Sequence, residues 1–254
     1  MTPSLRGRLF FVSGLLVLFI FWGISSLLAD SSLLIPSPLT TFQAMRTILL
    51  SPENYLHIAY TFGRLFGGLL LSALPGITLG IAAGKHPSLF AFFQPIILFF
   101  QSIPAIVWML LLLLWLPKEV SPLFLVFLTT FPIWFLNTRQ AILSSPTALK
   151  EMADVFAIKG FRRLVALYLP SLVLSFFTSL RATISLSLKV VVMAEVLAFP
   201  REGMGSKLFW AKTYVNTEEL FAWAGLLFLF GWLIDNFIIS FLSQLKNHFA
   251  LEEV

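Results

Sequence analysis

Long apolar stretches separated by short polar segments dominate the chain. A hydrocarbon core about 30 Å thick is crossed by roughly 20 helical residues. We therefore predict six membrane spans, at about 9–29, 58–83, 89–116, 122–142, 171–199 and 220–242. The fourth is expected to continue past Arg139, whose long side chain can reach the interface.

Proline and polar residues predict the features between and within these spans. The third span contains Pro95 and Pro104, and a bend is expected at one of them because proline removes a backbone donor. Residues 40–50 are expected to form a short interfacial helix, and residues 200–219 a polar loop. The first apolar stretch follows two arginines, so a cleaved signal peptide is the alternative there; its length favours a retained span.

Composition places the chain in a membrane. Apolar residues make up 58% of the 254 positions and charged residues 11%, and the mean hydropathy is +0.92. Soluble proteins have about 45–50% apolar and about 25% charged residues. The chain is therefore predicted to be an all-α membrane protein with a single transmembrane domain over residues 1–254.

Charge and cysteine content exclude several function classes. The net charge of +5 is spread over loops and shows no basic stripe, so no nucleic-acid partner is expected. The absence of cysteine excludes disulfides and thiolate catalysis. His57, His86 and His248 lack metal-ligand spacing, and no metal site is expected.

Six spans place both termini on one side of the membrane. With the N-terminus inside, nine Lys and Arg residues fall in inner segments and five in outer ones. Because positive residues accumulate on the cytoplasmic side, both termini are predicted to be cytoplasmic.

The segment at about 144–170 is the longest charged stretch between predicted spans and lies just before the fifth. It resembles the EAA loop of ABC-importer permeases, with the pattern Glu-Ala-Ala, three residues, Gly, nine residues, Ile, any residue, Leu-Pro. Met152 and Ala157 depart from that pattern, and Gly160 is a candidate for the turn that the family glycine would supply. Replacing Ala157 by glycine is expected to be tolerated, because it restores the family residue at a modest helix cost of about 1 kcal/mol. The residues that the resemblance assigns to ATPase coupling are Glu151, Met152, Ala153, Ala157, Gly160, Leu169 and Pro170.

Other segments resemble the nitrate/sulfonate/taurine-type permeases, so that the similarity covers nearly the whole chain. They are Leu34 to Pro38, Gly76 to Gly84, Gln101 to Pro104, Arg181, and Ala194-Glu195. The resemblance implies a type I ABC-importer permease fold with cytoplasmic coupling helices, in a bacterial plasma (inner) membrane. It also implies a second permease copy, a cytoplasmic ATPase subunit dimer and an extracytoplasmic solute-binding protein. ATP and Mg would be used by the ATPase, with no cofactor bound to this chain.

Charged residues at membrane depth usually face protein or water. Lys189 either faces the translocation pathway and attracts an anionic solute, or pairs with a carboxylate on a neighbouring helix. Glu195 is a candidate for the pathway and, near the outer end of its span, for a structural role. Arg64 and Asp235 are expected to pair or to reach the interface. Gln101 and Trp108 are further candidates for lining the pathway.

The sequence therefore predicts a permease that couples solute import to ATP hydrolysis on separate subunits, and not an enzyme. No Gly-x-x-x-x-Gly-Lys-Ser/Thr loop occurs in the chain. A rhomboid-like intramembrane protease is disfavoured because no Gly-x-Ser-x-Gly-type site is present. A stand-alone secondary transporter is the main alternative. The solute itself is not specified by the sequence.

Overall fold

The structure, a computed structural model, describes residues 5–29, 31, 33–145, 147–157 and 160–248. The regular structure of these residues is helical. The helices are α1 (Leu5–Leu28), α2 (Pro38–Leu50), α3 (Glu53–Lys85), α4 (Pro87–Ser102), α5 (Ala105–Trp115), α6 (Ser121–Leu143), α7 (Thr147–Val155), α8 (Gly160–Arg163), α9 (Leu169–Ala198), α10 (Met204–Thr213) and α11 (Thr217–His248), with a π-helical turn at Leu164–Tyr168 before α9.

These helices agree with the all-α prediction and coincide with most of the expected spans. Among the described residues, α3, α6 and the Thr217–Ser240 part of α11 are long and apolar enough to cross a membrane, and α4 with α5 makes a fourth if the bent pair is one span. Helices α1 and α9, with 24 and 30 residues, coincide with the predicted first and fifth spans. A count of six spans stays a prediction.

The third predicted span is not a continuous helix. Helices α4 and α5 meet at an angle of 97°. The break lies at Pro104, which confirms one of the two expected bend sites, whereas Pro95 lies inside α4. Proline disfavours helical backbone at the residue before it, and Ile103 is extended, with φ −86° and ψ 125°.

Two connecting segments also form helices. The expected short helix at residues 40–50 is confirmed as α2, which begins earlier because Ser37 caps it by accepting a hydrogen bond from the Thr40 amide at 3.1 Å. The prediction of a polar loop at 200–219 was wrong, because this segment contains helix α10. The length of α10, ten residues, and its mixed composition gave no long apolar run to detect.

Small residues allow α3 and α6 to pack at close range, and this pair forms the centre of the fold. A Cβ added at Gly68 would lie 2.6 Å from the Leu123 carbonyl oxygen, and one at Gly76 would lie 2.5 Å from Trp134 Cβ. Between these glycines, the Thr130 hydroxyl donates to Ser72 Oγ at 2.7 Å. Small residues four positions apart are typical of tightly packed membrane helices. Helix α9 packs against both α6 and α3.

Candidate functional site

A buried ion pair joins α3 to the last turns of α9. The Arg64 guanidinium donates to the Glu195 carboxylate, and Glu195 has no exposed surface. Arg64 also donates to two backbone carbonyls, from Nε to Glu119 at 2.9 Å and from Nη1 to Glu202 at 2.6 Å. One side chain therefore ties together α3, α9, the segment before α6 and the segment before α10.

The chain around Glu195 satisfies the rest of its carboxylate. The Thr61 hydroxyl lies 2.8 Å from Oε2 and donates to it, while accepting a hydrogen bond from the Met204 amide at 2.8 Å. The Gly205 amide donates to Oε2 at 2.9 Å. A buried charge is tolerated when its lone pairs are occupied in this way.

Two glycines leave room for this carboxylate. Gly203 has φ +154°, and a Cβ there would lie 2.7 Å from the Glu195 carboxyl carbon. A Cβ at Gly205 would lie 2.5 Å from Glu195 Cβ. The Gly203 amide donates to Nδ1 of His57 at 3.0 Å. We call Arg64, Glu195, Thr61 and the Gly203–Gly205 backbone the buried staple; these contacts support the structural interpretation of Glu195.

A second interhelical ion pair is much more exposed. Nε of Arg181 in α9 lies 3.1 Å from Oδ1 of Asp235 in α11, and the two side chains are 49% and 40% exposed. Asp235 therefore pairs, as expected, and its partner is Arg181.

Lys189 lies about two turns beyond Arg181 on α9, at a cavity between α9 and α11. The cavity has a volume of about 480 Å³, and both Lys189 and Asp235 line it. Among the described residues, no carboxylate oxygen lies within 4 Å of the Lys189 ammonium. Lys189 is exposed, so it is available to this cavity.

A stripe of small and polar residues leads along α9 to Lys189. The steps between its members are four, three, four, three and four residues, which keep them within about 40° of one line on a helix. Each member is at least partly exposed in the isolated chain. We call this set the polar stripe; it comprises Ser171, Ser175, Thr178, Ala182, Ser185 and Lys189. The N-terminal part of the polar stripe, from Ser171 to Thr178, borders a second cavity of about 430 Å³ that Asn137 and Gln140 of α6 also line.

The other two pathway candidates lie on α4 and α5 and are not members of the polar stripe on α9. Gln101 is exposed at the end of α4, one turn before the break. Trp108 is buried, with its ring 5.4 Å from that of Phe99 and 5.7 Å from that of Phe100. Its indole Nε1 makes no hydrogen bond within the described part of the chain.

The predicted coupling segment forms α7, α8 and the π-helical turn. Glu151 is exposed and Ala153 is buried. Three apolar side chains of this segment are nevertheless exposed: Met152 by 54%, Val155 by 81% and Phe156 by 69%. We call them, with Glu151, the α7 face. Leu169 and Pro170 form the first turn of α9.

The turn after α7 has a left-handed backbone at two positions. Ala157 has φ +50° and Gly160 has φ +61°. Gly160 therefore does turn the chain, but Ala157, which replaces the family glycine, adopts the backbone conformation that favours glycine. The expected helix cost of a glycine at position 157 was wrong, because this residue is not helical.

Replacing Ala157 by glycine is expected to stabilise the coupling segment by up to about 1 kcal/mol, since a left-handed conformation costs a non-glycine residue about that much or more. Ala148→Gly, inside α7, is the matched control and is expected to cost about 1 kcal/mol. Amide hydrogen exchange across residues 147–163 measures both. Equal loss of protection in the two variants would contradict the left-handed backbone at position 157.

Sequence reasoning missed the buried staple and the polar stripe. Thr61, Gly203 and Gly205 carry no signal that links them to a glutamate in another span. The polar stripe did carry one, because its three- and four-residue spacing is visible in the sequence. Among the described residues, no three His, Cys, Asp or Glu side chains are grouped to hold a metal ion.

Comparison with known proteins adds a family and several relatives. Residues 76–246 match the family model of the binding-protein-dependent transport system inner membrane component. A putative aliphatic sulfonates transport permease protein of Bacillus subtilis is 26% identical over 82% of this chain and 75% of its own length. The bicarbonate transport system permease protein of Synechococcus elongatus is 24% identical over 92% and 88%. The taurine transport system permease protein of Escherichia coli is 23% identical over 86% and 82%.

Proposed function

Because the chain belongs to the family of inner membrane components of binding-protein-dependent transport systems, we propose that it forms the translocation pathway of an ABC importer for a small, anionic solute. Its relatives are permease components of such importers. ATP and Mg would be used by a separate ATPase dimer, and this chain would bind no cofactor.

The polar stripe is the observation that carries the pathway. From Ser171 to Lys189 it runs 18 residues along α9, about 27 Å at 1.5 Å per residue. That length is close to the thickness of the hydrocarbon core, about 30 Å. A line of hydroxyls ending in an ammonium is unfavourable against lipid. We therefore propose that a second copy of the chain covers it and encloses a water-filled pathway.

The α7 face supports a role in coupling. It presents apolar side chains outside the apolar spans, beside the exposed Glu151. A short amphipathic helix with an unburied apolar face is suited to a groove on another protein. We propose that this groove belongs to the cytoplasmic ATPase and that α7 transmits its movement to α9.

The coupling role requires α7 to lie on the cytoplasmic side of the membrane. It also requires α10 to lie on the outer side, where a solute-binding protein would dock. In this cysteine-free chain, Ala148→Cys in α7 is expected to react with an impermeant maleimide only from the cytoplasmic side. Thr213→Cys, exposed at the end of α10, is expected to react from the outside. Ser206→Cys, at a buried position, is the control and should react only after denaturation. Reaction of both exposed positions from one side would contradict this topology.

Reconstitution tests the function itself. We consider proteoliposomes that contain this chain and its ATPase, with the binding protein added outside. They are expected to accumulate solute only when ATP is present on the side of the membrane that carries the ATPase. A stand-alone secondary transporter would accumulate solute with the permease alone and an ion gradient. Uptake without the ATPase would therefore contradict the importer proposal and support the alternative.

A further inference from the structure

Helix α2 exposes an apolar face with one cation near its centre. The members of this face lie within about 100° of arc, at 100° per residue. We call this set the α2 lipid face; it comprises Leu39, Phe42, Arg46, Leu49 and Leu50. We propose that this face lies in the headgroup layer of the membrane and that Arg46 binds the phosphate of an anionic phospholipid. This lipid site goes beyond the transport function and is separate from the solute pathway.

The other two sides of α2 face protein and water. Ile48 is buried and packs in one cluster with Trp223 and Leu226 of α11. Thr40 and Thr47 line a polar cavity of about 450 Å³, on a side of the helix roughly 120° from the centre of the α2 lipid face. With 13 residues, α2 is about 20 Å long, which is too short to cross a core about 30 Å thick. A short helix with a polar side and an apolar side is suited to the boundary between water and lipid.

Stacked aromatic rings connect the α2 lipid face to α1. The ring of Phe42 lies 6.1 Å from that of Phe19, which lies 6.1 Å from the ring of Trp22. The Trp22 indole donates to the Pro36 carbonyl at 3.0 Å, just before α2 begins. Most apolar side chains of α1 at residues 12–28 are exposed, as in a helix that faces lipid. Tryptophan is enriched where such a helix leaves the hydrocarbon core. The α2 lipid face therefore continues the apolar surface of α1 into the interface.

Arg46 requires an anion from outside the chain. Among the described residues, no carboxylate oxygen lies within 4 Å of its guanidinium, and its side chain is exposed. Phe42 and Leu50 lie one turn before and one turn after it, so the cation emerges from an apolar surface. A planar guanidinium matches phosphate oxygens with paired hydrogen bonds. Phospholipid headgroups lie at the depth of an interfacial helix, and an anionic lipid also supplies the negative charge.

Nitroxide labels test the orientation of α2 in the cysteine-free, full-length chain. The nanodiscs contain phosphatidylcholine and phosphatidylglycerol. A label on Phe42→Cys is expected to be accessible to oxygen, which concentrates in lipid, and protected from a water-soluble nickel chelate. Thr47→Cys, on the polar side of the same helix, is the matched control and is expected to show the reverse. Access of the nickel chelate to both labels would overturn the proposal. A Phe42→Cys label shielded from both reagents would show that protein covers this face, which would overturn it as well.

Quenching by brominated lipids tests the role of Arg46. A bimane fluorophore is attached to Leu50→Cys, one turn from Arg46, in equimolar nanodiscs where only one of the two lipids carries bromine. Brominated phosphatidylglycerol is expected to occupy the neighbourhood of the label about fivefold more than brominated phosphatidylcholine. Arg46→Gln is expected to remove this preference, whereas Arg46→Lys, which keeps the charge, is expected to retain most of it. Lys212→Gln, at an exposed lysine on α10, is the matched control and is expected to change nothing.

Two results of the quenching measurement would overturn the lipid site. Equal quenching by both lipids in the parent chain would show that Arg46 selects no anionic headgroup. A preference that survives Arg46→Gln would assign the selection to another group. Size-exclusion profiles confirm that each variant is folded. Both measurements use no solute, ATP or ATPase, so their outcome is independent of the proposed transport function.

Discussion

Replacing Glu195 by alanine is expected to destabilise the folded chain by about 3–5 kcal/mol, because it leaves a buried guanidinium without its counter-ion. Arg64 is 6% exposed and cannot turn to solvent without breaking its bonds to the Glu119 and Glu202 carbonyls. The amide of Gly205 also loses its acceptor. Thermal unfolding in detergent, followed by fluorescence, measures the loss.

The Arg181–Asp235 pair provides the matched control. It also joins two helices, but both side chains are about half exposed, so Asp235→Asn is expected to cost no more than about 1 kcal/mol. A double-mutant cycle over Arg64→Met and Glu195→Met isolates the staple, since removing both charges together leaves neither one uncompensated. Equal effects of Glu195→Ala and Asp235→Asn would contradict a structural role for the buried staple.

The staple also explains why position 203 needs glycine. Gly203→Ala keeps every charge in place but puts a Cβ 2.7 Å from the Glu195 carboxyl carbon. The carboxylate would have to move from Arg64 or from Thr61, and neither arrangement satisfies all its lone pairs. The sequence shows Glu195 and this glycine eight residues apart, yet their contact depends on a turn at Phe199, which has φ +54°.

The apolar pattern predicted helices well where burial alone sets them. The fourth span was placed at 122–142 and α6 spans Ser121–Leu143, because a helix must continue past Arg139 to be long enough to cross the membrane. The apolar pattern did not predict the direction of the chain where a single residue, such as a proline, changes the backbone conformation. A bend was expected at Pro95 or Pro104, but its angle of 97° at Pro104 could not be predicted, because hydropathy does not encode an angle.

The candidate sites were predictable to different degrees. The segment at 144–170 was singled out by its EAA-like motif, and the charged residues were singled out by their cost in a membrane. Their partners were not, because Arg64 and Glu195 are 131 residues apart in sequence and each had several possible partners. The pairing depends on the packing of α3 against α9, which a single sequence does not report.

The second large effect is expected at the α7 face. Val155 and Phe156 are 81% and 69% exposed, so replacing both by serine removes few contacts within the chain and is expected to change its stability by no more than about 0.5 kcal/mol. If they fill a groove on the ATPase, the two together are worth about 2 kcal/mol or more of binding. The double variant is therefore expected to lose the ATPase during co-purification, a weakening of about 30-fold or more.

Glu151→Lys tests the charge beside these apolar groups. Glu151 is exposed, so reversing its charge is expected to leave expression and thermal stability unchanged. The reversal is expected to weaken association with the ATPase, or to separate ATP hydrolysis from solute uptake. Tyr214→Ser is the control, because Tyr214 is 72% exposed directly after α10, which follows the C-terminal end of α9, whereas α7 precedes its N-terminal end. Normal ATPase association in both α7-face variants would show that α7 is not the coupling element. Equal loss in Tyr214→Ser would show that exposed apolar residues act without regard to their position.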